Sequence, residues 1–178
     1  MSALAGGALL LVTAIPTVAS AANSVTPLCN GKAATIVGQP GQAAIHGTQG
    51  ADVIVGLEPG VRIDARGGDD TICAGSGDNI INGGAGNDWI DGGDGANTID
   101  VGTGNNVALA GPGNDVIVGS SGNDTVNAGD GDNLVSTQAG DDTIVTGSGS
   151  DRIDGGKGFD TCTPGGGTNF AGRCEVIQ

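Results

Sequence analysis

The stretch GGAGNDWID GGDGANTID, Gly83 to Asp100, is one nine-residue unit written twice. Each copy has Gly at positions one, two and four, Asp or Asn at position six and Ile at position eight. Stepping on by nine gives VGTGNNVAL, AGPGNDVIV, GSSGNDTVN, AGDGDNLVS, TQAGDDTIV, TGSGSDRID and GGKGFDTCT. Stepping back gives AGSGDNIIN, ARGGDDTIC, GLEPGVRID, GTQGADVIV, GQPGQAAIH and CNGKAATIV. Fifteen units thus run from Cys29 to Thr163 without an insertion.

Position eight is Ile or Val in every unit except at Ala108 and Cys162. Position four is Gly except at Lys32 and Pro59. Composition alone suits an acidic disordered linker, with 37 Gly, 18 Asp and 13 Asn in 178 residues. A disordered linker has no reason to place a β-branched residue at every ninth position, so the column excludes that reading.

The net charge is −14, from 20 acids against 6 bases. A nucleic-acid partner needs a basic footprint, so none is expected. Attraction to anionic lipid is disfavoured too, and no membrane insertion of the mature chain is expected. The one histidine, His46, excludes His-clustered metal sites and most imidazole acid–base chemistry. Paired carboxylates abound, but a repeated turn position accounts for them. The chain is therefore expected not to be an enzyme.

The unit resembles the RTX nonapeptide repeat, G-G-x-G-x-D-x-U-x, of the haemolysin-type calcium-binding family. The resemblance covers 135 of 178 residues and is closest in units five to fifteen. The end segments, CNGKAATIVG and GFDTC followed by RCE, resemble small exported calcium-binding proteins of actinobacterial type. The resemblance implies an all-β fold, a right-handed parallel β-roll in which each nonapeptide is half a coil. Positions one to six form a turn and positions seven to nine a short strand. Units two apart stack at about 4.8 Å, with position eight pointing inward. Residues 23–28 are then a lead-in, 29–163 the roll and 164–178 a C-terminal cap.

One buried Ile or Val per unit is small against the cost of ordering nine backbones. Stacking also brings aspartates into register, where like charges repel. A hard divalent cation removes that repulsion and ties successive turns together. Calcium suits sites of carboxylate and carbonyl oxygen, so several Ca2+ ions are the expected cofactors, and their binding is expected to drive folding.

The candidate ligands occupy position six. On the odd-unit edge they are Asp52, Asp70, Asp88, Asn106, Asp124, Asp142 and Asp160. On the even-unit edge they are Asn79, Asn97, Asp115, Asn133 and Asp151. Stronger sites are expected between Asp52 and Asp70, Asp70 and Asp88, Asp124 and Asp142, and Asp142 and Asp160. Asn106 keeps an oxygen but loses the charge, and Asn79, Asn97 and Asn133 are expected to be weaker. Asp78, Asp94, Asp130 and Asp132 could assist. The remaining ligands are backbone carbonyls that a sequence does not identify.

Residues 1–22 carry no charged side chain, and the apolar run ALLLVTA (Ala8–Ala14) is followed by Val18-Ala19-Ser20-Ala21-Ala22. This reads as a secretory signal peptide cleaved after Ala21 or Ala22, although no Lys or Arg precedes the apolar run. Export implies an oxidising compartment and a secreted, extracellular protein. A Cys162–Cys174 bridge would then close a short loop. Cys29 and Cys73 remain, either as a second bridge or as small buried apolar residues.

The outward positions of odd units are mostly Thr and Val with one Trp: Val37, Val53, Val55, Thr71, Trp89, Val107, Leu109, Thr125, Thr143 and Val145. The even face carries Arg62, Asp64, Asp100, Arg152 and Asp154. The leading expectation is a secreted calcium-binding protein with a structural or interaction role. The alternative is a cell-surface adhesin or self-association module using the Thr/Val/Trp face, though β-propensity alone also places Thr and Val there.

Overall fold

The computed structural model describes residues 26–177. The signal segment assigned to residues 1–22 lies outside them. The chain opens with an antiparallel hairpin of β1 (Leu28–Cys29) and β2 (Lys32–Ala33). Seventeen short strands follow. They are β3 (Ile36–Val37), β4 (Ala44–His46), β5 (Val53–Val55), β6 (Arg62–Asp64), β7 (Thr71–Cys73), β8 (Ile80–Asn82), β9 (Trp89–Asp91), β10 (Thr98–Gly102) and β11 (Val107–Leu109). They continue as β12 (Val116–Gly119), β13 (Thr125–Asn127), β14 (Leu134–Ser136), β15 (Thr143–Val145), β16 (Arg152–Asp154), β17 (Thr161–Thr163), β18 (Phe170–Gly172) and β19 (Val176–Ile177).

Odd-numbered strands from β3 to β19 form one nine-stranded parallel sheet, and even-numbered strands from β4 to β18 form an eight-stranded one. The strand order skips every second element, so the chain crosses between two sheets at each turn. This is the parallel β-solenoid that the family resemblance implied. Registers such as Ile54↔Ile72 and Ile45↔Ile63 show the reason, because eighteen residues make one coil. The same register carries past Thr163. Ile153 pairs with Ala171 in β18, so residues 164–172 lie as one more half-coil of normal length.

Position eight forms the core. Ile45, Ile54, Ile63, Ile72, Ile81, Ile90, Ile99, Ile117, Ile144 and Ile153 are all fully buried. A second inward column joins it at position one, where Ala65, Ala74, Val101, Ala110, Ala128 and Thr137 are buried at the corners. These residues are small because the next coil's backbone passes close by. At position four the backbone takes φ values such as 134° at Gly86 and 147° at Gly140, which side chains rarely adopt. Position two is less strict, since Arg66 (φ 76°) and Gln138 (φ 69°) take its left-handed conformation.

The β1–β2 hairpin lies on the outside of the odd sheet. The Cys29–Cys73 disulfide fastens it to β7, and Lys32 Nζ donates to Thr71 Oγ1 at 2.9 Å. Val55 and Thr71 are buried, so part of the Thr/Val strip is already covered. Beyond it, exposed aliphatic side chains form a column on the other sheet, at Ile80, Val116 and Leu134. Cys162 and Cys174 form the second disulfide. Among the described residues no helix is long and apolar enough to cross a membrane.

Candidate metal centre

Position six ends each turn and starts the strand below it, so stacking places all twelve candidate residues in two vertical rows. The backbone N–H of each except Asp160 donates to Oδ1 of the position-six residue one coil later. On the odd edge Asp52 donates to Asp70 (2.8 Å), Asp70 to Asp88 (2.8 Å), Asp88 to Asn106 (2.9 Å), Asn106 to Asp124 (2.9 Å), Asp124 to Asp142 (2.7 Å) and Asp142 to Asp160 (2.9 Å). On the even edge Asn79 donates to Asn97 (3.1 Å), Asn97 to Asp115 (2.7 Å), Asp115 to Asn133 (2.9 Å) and Asn133 to Asp151 (3.0 Å). Val61 precedes Asn79 in this row and Asn169 follows Asp151, so the row extends beyond the predicted set at both ends. Every one of the twelve is buried.

With Oδ1 engaged, the second terminal atom decides the chemistry. In the asparagines it is an NH2 group. Asn97 Nδ2 donates to the carbonyls of Gly93 (3.4 Å), Gly95 (3.0 Å) and Ala110 (3.1 Å). Asn79 reaches Gly75 and Gly92, Asn133 reaches Gly129 and Gly131, and Asn106 reaches Gly104. These carbonyls belong to positions two and four of the same turn and position one of the next coil. The amides thereby mark a pocket of main-chain oxygens that sequence reading left unidentified.

In the aspartates the same atom is an oxygen. Oδ2 of Asp70, Asp88, Asp115, Asp124, Asp142, Asp151 and Asp160 is buried without a hydrogen-bond donor. A Cβ placed on Gly83 would lie 2.7 Å from Asp88 Oδ2 and 2.6 Å from the Val101 carbonyl. One on Gly119 would lie 2.8 Å from both Asp124 Oδ2 and the Thr137 carbonyl. The orphaned carboxylate oxygen and the next coil's position-one carbonyl therefore border the same space. Asp52 differs, because its Oδ2 accepts the Thr48 N–H (2.6 Å) and the Thr48 hydroxyl (3.0 Å). Its carboxylate is satisfied from its own turn.

A buried carboxylate oxygen left without a partner costs about 1–3 kcal/mol, and more when charged. A proton or a cation removes that cost. Burial, reinforced by the neighbouring Asp88 and Asp52 carboxylates, pushes Asp70 up to about 6 against an opposing hydrogen bond from the Asp52 amide. Burial also raises Asp124 to about 6, with the Asp142 charge adding to it. Asp88, Asp115 and Asp160 are raised too, each chiefly by desolvation.

The donor set decides which cation fits. Among the described residues no three His, Cys, Asp or Glu side chains converge on one point. The turns with an orphaned aspartate instead offer a carboxylate oxygen, which at Asp88 and Asp124 borders a carbonyl oxygen. This set matches the hard, oxygen-seeking calcium ion and contains none of the N or S ligands that zinc prefers. The outer acids are placed differently. Asp78, Asp130 and Asp132 accept N–H groups of Ala96, Ser148 and Ser150 on the exposed side of the turns.

The family model of the RTX calcium-binding nonapeptide repeat, four copies long, matches residues 46–81, 74–108, 100–135, 109–144, 127–162 and 136–171. No curated protein matches the chain.

Proposed function

The chain belongs to the RTX calcium-binding nonapeptide repeat family, and from that premise we propose that it is a secreted protein whose β-roll is completed by calcium, serving a structural or interaction role. Seven buried, orphaned Oδ2 atoms carry this reading, and those of Asp88, Asp124 and Asp160 border a main-chain carbonyl of the next coil. The proposed ligands are Asp70, Asp88, Asp124, Asp142 and Asp160 on the odd edge and Asp115 and Asp151 on the even edge. Asn79, Asn97, Asn106 and Asn133 turn an NH2 group into the equivalent space, so these turns close without an ion. When bound, calcium supplies the positive charge that the carboxylate turns lack. Two disulfides and the abundance of calcium outside cells support an extracellular location.

The test is far-UV circular dichroism of the protein, stripped with a chelator and titrated with calcium, with magnesium as control. A β signal restored by calcium and not by magnesium is expected, since magnesium demands near-octahedral geometry and gives up water reluctantly. A β signal unchanged by the chelator would make the roll self-sufficient and sink the reading.

A further inference from the structure

Arg173-Cys174-Glu175 stands outside the nine-residue period, and each of its residues is anchored at a different place. The Arg173 guanidinium pairs with both carboxylate oxygens of Asp154. Cys174 is bonded to Cys162 in the buried position-eight column. Glu175 Oε2 accepts the Asp160 N–H at 2.6 Å, and the Glu175 N–H donates to the Asp160 carbonyl at 2.9 Å.

The Asp160 amide thus receives what every other position-six amide of its row receives, a carboxylate or amide oxygen from the next coil. Elsewhere that oxygen comes from eighteen residues on, whereas here it comes from fifteen. Strand register agrees, since Thr161 pairs with Val176 and Cys162 with Ile177. Glu175 therefore holds position six of a turn shortened by three residues, and its extra methylene gives it longer reach than Asp.

Arg173 completes the likeness. Its carbonyl lies thirteen residues after Asp160, the spacing at which Asn79 and Asn97 meet the carbonyls of Gly92 and Ala110. A Cβ on Gly155 would collide with that carbonyl and lie 2.6 Å from Asp160 Oδ2. Asp160 itself is fully buried, and this Oδ2 has no donor. The local chemistry therefore repeats that of the regular turns, with Glu175 from outside the repeat in the place of the next coil's position-six residue.

We propose that Glu175 and the Arg173 carbonyl, from outside the repeat, complete with Asp160 a terminal calcium site that closes the C-terminal end of the odd edge. The proposal rests on the reading of the orphaned Oδ2 atoms as calcium ligands. Native mass spectrometry at fixed free calcium counts the ions on the wild-type protein, on Glu175→Gln and on Asp70→Asn. Glu175→Gln keeps an oxygen for the Asp160 amide and removes the charge. It is expected to lose one ion, or to need about tenfold more calcium for the last one. In the wild type the Asp160 amide resonance is expected to shift on calcium addition with that last ion, and in Glu175→Gln only at the higher concentration. If Asp70→Asn loses an ion while Glu175→Gln matches the wild type in both readouts, this site is overturned and the parent reading stands. If the wild type binds no calcium, both fall together.

Discussion

At the scale of single residues, one terminal atom separates a turn with an orphaned buried oxygen from a turn whose side chain is satisfied. Asp88 and Asn97 occupy the same place in the unit, and both accept an amide through Oδ1. Asn97 then donates to three carbonyls, while Asp88 presents a bare oxygen. Asp88→Asn is therefore expected to stabilise the calcium-free protein, by about 1–3 kcal/mol from satisfying one buried group. The same change should remove one ion from the calcium-loaded protein. Urea melts with chelator, read beside ion counts, check both halves, and a variant less stable without calcium contradicts the pairing. Position six was legible as a stacked column of carboxylate and amide side chains because the period is unbroken. Its carbonyl partners were not, since main-chain oxygens leave no mark on residue identity. Nor did the period show that Thr48 satisfies Asp52 or that Glu175 serves Asp160, because both depend on how a particular turn closes.

At the scale of elements, strands of two to five residues are too short to persist alone, and lateral pairing at an eighteen-residue offset holds them. Alternation along the strand determines which residue faces inward, so the Ile column is readable in the sequence. The outer surface was less so. Outward residues of the odd sheet looked open in sequence, yet the hairpin that reaches Cys73 from residues 28–33 buries Thr71 and Val55. No local pattern foretells which sheet a short antiparallel hairpin will cover. The even sheet read as charged because Arg62, Asp64, Asp100, Arg152 and Asp154 stand out, while Ile80, Val116 and Leu134 share its outward face. The Cys29–Cys73 bridge spans 44 residues, which is worth about 4 kcal/mol on a chain-entropy model. Cys29→Ala/Cys73→Ala is expected to lower the melting temperature of the calcium-loaded protein. It should leave the number of bound ions unchanged, because the hairpin's disulfide and its Lys32 hydrogen bond attach to Cys73 and Thr71 and not to a proposed ligand. Calorimetry and ion counting on the variant together test this, and a lost ion would place the hairpin within the metal sites.

At the scale of the molecule, burial gathers acids that would repel even in water, on a chain already at −14. Asp70 and Asp124 titrate near 6 in the fold against an ordinary 3.8, so the folded state holds more protons than the unfolded one between these values. Stability without calcium is then greatest below about 4 and falls as pH rises through 6. With chelator present, the melting temperature at pH 5 is expected to exceed that at pH 7.5. Protons and calcium compete for the same oxygens, so apparent calcium affinity should weaken as pH drops below 6. A calcium-free protein that melts no earlier at pH 7.5 than at pH 5 would remove the carboxylates from this account.

The inner row of hydrogen bonds has a direction. From Asp52 to Asp160, each position-six N–H looks to a side chain that follows it in the chain, never to one that precedes it. A ribosome releases residues in the opposite sense, earliest first. The newest coil of a growing roll is consequently always one acceptor short, and a chain stopped anywhere before Glu175 ends on an unfilled amide. Synthesis can lay the coils down in order, but it latches the final odd turn only when residue 175 arrives.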